Sequence, residues 1–344
     1  MASLSDLFAS YLPLIEDDLH RMLETPPGMP PHFYRMMQYH MGWVDADGYP
    51  AAVDTGKRIR PVLTLLVAAA CGGDISRARP AAAAVELIHN FSLLHDDIQD
   101  RSPLRRGRPT VWQIWGEKQA INAGDTMFAL AHLAIPRLAR CCAPDLEGML
   151  LIRMQTALDE ACLELTRGQH LDMSFEEHNQ VTTDDYLDMI AGKTAALLAA
   201  AAYLGALSAD VDEAVREHYR AFGHNLGMAF QVLDDVLDIW GEPELTGKEA
   251  AVDIRQRKKS LPVLYGLAHS PELRGVYDDP TPFDDDMVLH VRDLLDRAGA
   301  RRYAEGLARQ YSDQTLAHLE AAHPQGDAGR ALYALVDRLL HRER

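Results

Sequence analysis

The sequence lacks several features that mark other classes of protein. It has 34 basic residues against 51 acidic ones, and this net charge of −17 disfavours general nucleic-acid binding, which needs a basic face. Aromatic residues are only 7% of the 344 residues. The N-terminus has no basic segment before an apolar run, and no stretch reaches the ~18 charge-free apolar residues of a membrane span. We therefore expect no signal peptide and no membrane span.

Cysteine is also scarce, and its spacing excludes the common cysteine-based sites. The four cysteines, at 71, 141, 142 and 162, form no CxxC pair and no zinc-binding pattern with histidine. In a chain of this length they are expected to be buried thiols of a reducing compartment. The predicted location is the cytoplasm.

Alanine and helical periodicity dominate what is present. Hydrophobic residues are 47% of the chain and charged residues 25%, with alanine runs at 81–84 and 199–202, which favours packed helices. No convincing strand, linker or fixed repeat is found. We predict one all-α domain over 1–344, with ten or more helices. After a first helix from Leu4 that a kink or second start could interrupt at Pro13, the predicted helices are 57–71, 76–100 (capped by Ser76), 110–135, 144–178, 183–207, 210–240, 259–269, 284–298, 300–321 and 326–342, with loops at 45–50 and 271–285.

Two apolar helices end in acidic clusters. HDDIQD closes the first at residues 95–100 and DDVLD closes the second at 234–238, each with acids at i, i+1 and i+4. On a helix, i and i+4 share one face, so their carboxylates can bracket a cation. A single such pattern arises by chance in acidic chains as a solvated helix end. Two copies, both after buried helices, point to a hard divalent ion bound together with a phosphate.

Basic residues accompany both clusters. They are Lys57, Arg58 and Arg60 in GKRIRP, Arg101, Arg105, Arg106 and Arg108 in RSPLRRGRPT, Lys193 in AGKTA, and Lys248, Lys258 and Lys259 after the second cluster. Guanidinium and ammonium groups near paired acids suggest a polyanion held between metal and cations, most simply a diphosphate. Arg77 and Arg79 are interpreted as solvated surface residues.

Taken together, these segments resemble the trans-isoprenyl diphosphate synthases (polyprenyl synthetases). The similarity rests on GKRIRP, ELIHNFSLLHDDIQD, RRGRPTVW, GQHLD, GKTA, FQVLDDVLD and TGKEAAVDIRQRKKSLP, in the family's order over about 56–266. It implies an all-α isoprenoid synthase domain with a deep central cavity and both acidic boxes at its mouth. It also implies a prenyltransferase that condenses isopentenyl diphosphate with dimethylallyl, geranyl or farnesyl diphosphate, acting as a homodimer.

The resemblance carries roles over to matching positions. Three Mg²⁺ ions are implied, with Asp96, Asp100 and Asp234 as ligands. Supporting carboxylates would be Asp97, Asp235, Asp238 and, through water, Asp172. The allylic diphosphate would be held by Arg105, Lys193 and Lys258, and the isopentenyl diphosphate by Lys57, Arg60, His89 and Arg106. Lys248 matches a family lysine, and the reacting region would be lined by Thr194, Gln231 and Phe230. The released pyrophosphate would accept the proton. His89 has a competing interpretation as a core histidine, and His95 is interpreted as structural.

The chain departs from the family at three positions. Ala251 and Arg257 stand where the family usually has glycine, and Ser260 stands where threonine is usual. These residues belong to the segment that the resemblance assigns to closure over substrate. The departures put the position of Lys258 in doubt.

Product length should depend on how far the growing tail can extend. Phe91 lies five residues before Asp96, beside the small Ser92, a pattern that resembles synthases of C20 product. C15 is the second candidate, and C25 or longer follows if Phe91 only packs the core. Other candidate classes are a class I terpene cyclase, which usually lacks a second aspartate box, and a non-catalytic subunit, which tends to lose box aspartates.

Overall fold

The computed structural model describes residues 2–51, 53, 55–177, 180–241 and 251–340. The chain divides into two compact units. The first comprises Met1–Glu160, Ala200–Arg216 and Pro324–Leu332, and the second comprises Ala161–Ala199, Glu217–His323 and Tyr333–Arg344. The prediction of a single domain over 1–344 stays a prediction.

Helices make up nearly all of the regular structure of the described residues. In chain order they are α1 Leu4–Met22, α2 Pro31–His40, α3 Ile59–Ala70, α4 Arg79–Gln99, α5 Val111–Trp115, α6 Glu117–Cys142, α7 Gly148–Glu177, α8 Thr183–Ile190, α9 Ala196–Ser208, α10 Glu213–Trp240, α11 Val252–Arg255, α12 Leu261–His269, α13 Pro271–Asp278, α14 Asp285–Ala298, α15 Ala300–Ala321 and α16 Gly326–Leu340. A 3₁₀ turn at Ile75–Arg77 precedes α4, and a π turn at Ala191–Ala195 joins α8 to α9. The all-α prediction is confirmed.

A small hairpin corrects the expectation that no strand is present. Strands β1 (Leu104–Arg105) and β2 (Arg108–Pro109) pair antiparallel across the turn Arg106–Gly107. Both turn residues have positive φ, 51° and 72°, the conformation of a tight two-residue hairpin turn. Strands of two residues are too short to show an alternating pattern, so periodicity could not detect them.

Three predicted helix boundaries were wrong. Ser76 does not cap α4; its amide and hydroxyl bond to Asp74 in the 3₁₀ turn, and α4 begins after Ala78. The predicted loop at 271–285 contains helix α13, which begins after Ser270, whose hydroxyl accepts from the Leu273 amide at 3.1 Å. The predicted helix over 110–135 is two helices, because Gly116 has φ of 84°. Helix α1 is unbroken at Pro13.

Two surface predictions also need correction. Cys162 is buried, but Cys141 is exposed and Cys71 and Cys142 are half-buried, so the thiols are not all core residues. Arg79 is not a solvated surface residue, since its Nε and Nη2 donate at 2.7 Å to the two oxygens of the buried Asp18. This ion pair joins α1 to α4, so the residue pattern along one helix could not predict it.

Among the residues that the structure describes, one helical stretch is long and apolar enough to cross a bilayer. It is Thr183–Ser208, whose most apolar window has a mean hydropathy of 1.5 and is 78% buried within the protein. Burial of that degree is typical of a core helix.

Candidate functional site

The first acidic box lies at the C-terminal end of α4, in unit 1. Asp96 and Asp100 are one turn apart, with Asp96 half-buried and Asp100 exposed, whereas Asp97 is buried. Nε and Nη2 of Arg105 both donate to Oδ1 of Asp97 at 2.7 Å. Burial raises the pKa of Asp97, and the Arg105 contacts offset part of that rise. Asp97 therefore positions Arg105, whereas Asp96 and Asp100 lie on the less buried side of α4.

The hairpin is tied directly to this helix end. The carbonyl of Asp97 accepts from the Ser102 amide at 2.9 Å, and the Ser102 carbonyl accepts from Thr110 Oγ1 and Trp112 Nε1, both at 2.9 Å. The turn thus presents Arg105 and Arg106 beside the box. On β2, Arg108 stacks 3.9 Å from the centre of the Tyr39 ring and is a structural residue.

A glycine makes room for the second of these arginines. Nη1 of Arg106 donates to the carbonyl of Thr55 at 3.0 Å. Gly56 has φ of +87°, and a Cβ on it would lie 2.7 Å from Nη2 of Arg106. The positive φ favours glycine there, and a Cβ would displace the guanidinium of Arg106.

Arg60 and His89 lie near Arg105 and Arg106, and these four side chains together are called the cationic pocket. Nη1 of Arg60 lies 3.3 Å from Nε2 of His89, and the buried Nε of Arg60 has no hydrogen-bond partner among the described residues. Burial lowers the pKa of His89 well below its usual value, and the positive charges of Arg60, Arg106 and Arg105 lower it further. Burial also lowers the pKa of Arg60. Positive groups held this close, with an unused buried donor, suit an anion.

The middle basic residue of GKRIRP is used internally. Arg58 is buried, and its Nε and Nη1 donate at 2.8 Å to Glu16 and Glu86. Sequence reasoning did not find this ion pair, since Glu16 and Glu86 lie on two other helices. Lys57, which precedes Arg58, is exposed.

The residues expected to set product length form an aromatic series. The Phe91 ring lies 4.9 Å from both Phe128 and His95, and Phe128 lies 4.3 Å from His132, centre to centre. Nε2 of His132 is 2.9 Å from a carboxylate oxygen of Asp159. Ser92 donates to the carbonyl of His89 at 2.8 Å and so faces its own helix.

In unit 2, a polar chain surrounds the second acidic box. Asp235 is buried and accepts from Tyr186 Oη at 2.5 Å, the Leu261 amide at 3.1 Å and Gln231 Nε2 at 3.2 Å. Burial raises the pKa of Asp235 to about 7, although all three donors oppose the rise. Gln231 accepts from Thr194 Oγ1 at 2.9 Å, so two predicted residues meet in one chain of bonds. Tyr186 was missed, because nothing in its sequence context distinguishes it from a core tyrosine.

Asp234 and Asp238 lie on the partly exposed side of α10, one turn apart. The carbonyl of Asp238 accepts from the Ala251 amide at 2.9 Å, which attaches the segment 251–260 to the end of this helix. Phe230 is half-buried on the same helix. Lys248 lies outside the described residues.

Lys193 is positioned by an unusually close helix crossing. Its Nζ donates to Asp172 Oδ2 at 2.5 Å. It lies in the π turn, whose Gly192 meets Gly168 of α7 backbone to backbone: a Cβ on Gly168 would lie 2.1 Å from the Lys193 amide nitrogen. The glycines of GQHLD and GKTA are thus explained by one contact, and π turns of this kind recur at functional sites.

Lys258 has a mostly exposed side chain, at 56%, and its Nζ lies 4.0 Å from Oδ1 of Asp253. Partial desolvation lowers its pKa, but the carboxylates of Asp253, Asp235, Asp172 and Asp238 outweigh this and raise it overall. Ala251 and Arg257, where the resemblance leads us to expect glycine, have φ of 58° and 56°, a conformation that favours glycine.

Comparison with known proteins shows the family of this chain. The family model for polyprenyl synthetase matches residues 49–305. The chain belongs to the polyprenyl synthetase family. It is 43% identical to a (2E,6E)-farnesyl diphosphate synthase of Mycobacterium tuberculosis over 308 residues, 88% of this chain and 83% of that one. It is 40% identical to a geranylgeranyl diphosphate synthase of the same organism over 329 residues, 94% and 90% of the two chains.

A solved structure agrees with these relatives. The polyprenyl synthetase of Streptomyces coelicolor A3(2) superposes with a TM-score of 0.88 at 34% identity, over 98% of this chain and 100% of that one. This polyprenyl synthetase is therefore a prenyltransferase, a short-chain trans-prenyl diphosphate synthase.

Proposed function

We propose that this polyprenyl synthetase condenses isopentenyl diphosphate with an allylic diphosphate and releases pyrophosphate, with geranylgeranyl diphosphate (C20) as the main product. The observation that carries the proposal is the cationic pocket beside the first acidic box. A dianionic or trianionic headgroup is what three arginines and a neutral histidine can bind without further neutralisation. The pocket has its own buried donor, Nε of Arg60, ready for a ligand oxygen.

In this proposal the pocket holds isopentenyl diphosphate through Arg60, His89 and Arg106, with Lys57 at its edge. Arg105 is shared with Asp97 and faces the allylic diphosphate. His89 is neutral at pH 7, because burial and neighbouring arginines disfavour its charged form, so it binds as a hydrogen-bond partner. The cationic charge therefore comes from the arginines and from Lys57, and His89 adds none.

The acidic boxes are proposed to bind Mg²⁺, three ions in all, through Asp96, Asp100 and Asp234. The donors fit: each box offers carboxylate oxygens one helical turn apart, the ligand type that Mg²⁺ prefers. Among the described residues, no three His, Cys, Asp or Glu side chains converge on one point. Each ion would therefore need diphosphate and water oxygens to complete its shell. When bound, Mg²⁺ would neutralise charge on the departing diphosphate.

Side chains of unit 2 are proposed to bind the allylic diphosphate and to support its site. Lys193 and Lys258 would hold the allylic diphosphate as point charges, with Asp172 orienting Lys193. Asp235 would act as a support, because its three hydrogen bonds already occupy its oxygens. Thr194 and Gln231 would line the reacting carbon.

The C20 assignment rests on Phe91. Its ring packs on Phe128, which in turn packs on His132, so it has the support needed to stop a growing tail. The specific observation favouring C15 instead is the 43% identity to a farnesyl diphosphate synthase. Product analysis decides between them.

The test uses the purified chain with Mg²⁺, labelled isopentenyl diphosphate and farnesyl diphosphate. An elongated C20 diphosphate supports the proposal, and no elongation of farnesyl diphosphate with C15 made from geranyl diphosphate favours the alternative. A cyclic hydrocarbon would indicate a terpene cyclase, and turnover only with a second protein would indicate a subunit. Asp100→Asn should remove most activity, whereas Asp145→Asn, also at an exposed acid of unit 1, should not.

Two further parts of the proposal have their own measurements. Mn²⁺ counted by electron paramagnetic resonance in the presence of pyrophosphate should reach three ions per chain, and EDTA should abolish turnover. Light scattering should give the mass of a homodimer, the commonest symmetric assembly. The proposed location is the cytoplasm, where four free cysteines would stay reduced.

A further inference from the structure

Arg257 has no role in the proposed function, but its side chain makes several contacts with another segment of unit 2. Its Nη1 donates to the carbonyl of Tyr277 at 2.8 Å, and its Nη2 donates to the carbonyls of Asp279 and Thr281 at 2.5 and 2.6 Å. The guanidinium carbon lies 4.0 Å from the centre of the Phe283 ring. One side chain thus bonds to three carbonyls and an aromatic face of the segment 277–283.

These contacts exist although the backbone at Arg257 is unfavourable. Its φ of 56° lies in the left-handed region, where a residue with a Cβ is strained and glycine is not. The hydrogen bonds and the ring contact of its side chain offset this strain. The planar guanidinium donates from two nitrogens to three carbonyls while its face stacks on a ring, and the single nitrogen of an ammonium does not reproduce that arrangement.

The segment that Arg257 holds is short and bears a proposed substrate-binding residue. The Arg257 amide donates to the Ile254 carbonyl at 2.9 Å, and the next amide, of Lys258, donates to the Asp253 carbonyl at 2.8 Å. Lys258 is therefore one peptide from the anchored residue. Hydrogen bonds also stabilise the segment 277–283, in which Asp279 Oδ1 accepts from the amide and hydroxyl of Thr281 at 2.9 and 2.7 Å.

We propose that Arg257 is a positioning residue for the allylic diphosphate site: by clamping 251–260 to the 277–283 segment, it holds Lys258 where it meets the diphosphate. The inference rests on the proposed role of Lys258.

The test is a double-mutant cycle on the full-length protein. Arg257→Gly relieves the backbone strain but removes the clamp, and Lys258→Ala removes the ammonium group. We expect Arg257→Gly to raise the KM for the allylic diphosphate about tenfold, because displacement of a positioning group by about 1 Å has effects of that size or more. The KM for isopentenyl diphosphate should change less than twofold. In the Lys258→Ala background, Arg257→Gly should add almost nothing.

Controls separate this role from a structural one. Arg274→Gln removes another arginine that donates to a helix carbonyl, that of Leu267 at 2.9 Å, and should leave both KM values unchanged. Arg257→Lys keeps the charge but not the fork, and should give an intermediate allylic KM. If Arg257→Gly does not fold, Arg257→Lys carries the same comparison of the two KM values.

The results that overturn the inference are specific. Equal rises in both KM values, or additive effects of the two substitutions, would mean that Arg257 only stabilises the fold. No effect of Lys258→Ala on the allylic KM would remove the role through which Arg257 acts. Absence of turnover in the unsubstituted chain would instead refute the proposed function, so the two failures are distinguishable.

Discussion

The crossing of α7 with the π turn predicts that Gly168→Ala damages both stability and activity. A Cβ at residue 168 would lie 2.1 Å from the Lys193 amide nitrogen and 2.7 Å from the Gly192 carbonyl carbon, where ordinary contact begins at 3.4 Å. Both neighbours are backbone atoms, which cannot rotate away. The two elements must therefore separate by about 1.3 Å.

The change in the free energy of unfolding is the sum of two opposing effects. Forcing an extra methyl group into a packed contact costs about 3 kcal/mol at the upper end of measured values. Replacing a helical glycine by alanine returns about 1 kcal/mol. The free energy of unfolding should therefore fall by about 2 kcal/mol, and Tm by roughly 3 °C for a chain of 344 residues. The displacement also moves Lys193, and a shift near 1 Å in a positioning group is expected to lower kcat/KM about 100-fold.

Gly306→Ala is the matched control. Gly306 also lies inside a helix of unit 2, α15, but a Cβ there meets nothing within 4 Å. The control should gain about 1 kcal/mol and keep full activity, so the difference between the variants isolates the overlap. Both are measured by urea unfolding and by kinetics well below Tm. Equal stability and equal kcat/KM in the two variants would refute the reasoning.

Three further predictions address unit 1. Phe91→Ala should lengthen the product, read by chain-length analysis; an unchanged product would contradict the role of this ring. Gly56→Ala should raise the KM for isopentenyl diphosphate about tenfold by displacing Arg106, while Gly28→Ala, with the same positive φ but open space around it, should not. The depressed pKa of His89 means that below pH 6.5 the unfolded chain binds a proton that the native site resists, so stability falls as pH falls. Unfolding free energy should drop by up to about 1.4 kcal/mol per pH unit below 6.5, less so in His89→Gln, and an identical slope in that variant would count against it.

Much of the fold could be predicted because the apolar residues of a helix recur every three to four positions, and a single sequence displays this period. The apolar stripes gave most helices to within a few residues. Features that depend on a single backbone torsion, such as Gly116 or the turn at Arg106, were missed or misjudged. The helix α13 was missed because its Ser-Pro-Glu start lies in an acidic context that is also typical of loops.

The candidate site was predictable where chemistry depends on local spacing. The i, i+4 acids and the basic segments were found in this way. Contacts between distant segments were not: Arg58 with Glu16 and Glu86, Tyr186 with Asp235, and Gly168 with Gly192 require the tertiary structure. That the two boxes face each other stays a prediction, as do the individual residue roles.

The hairpin turn has a consequence for ligand capture. Arg106 occupies a left-handed backbone position, followed by Gly107 in the same region, and its guanidinium is already bonded to a carbonyl. The conformational entropy of this arginine is therefore lost during folding, before any anion arrives. A preorganised donor gives up less freedom on association, so more of its electrostatic attraction is available as affinity.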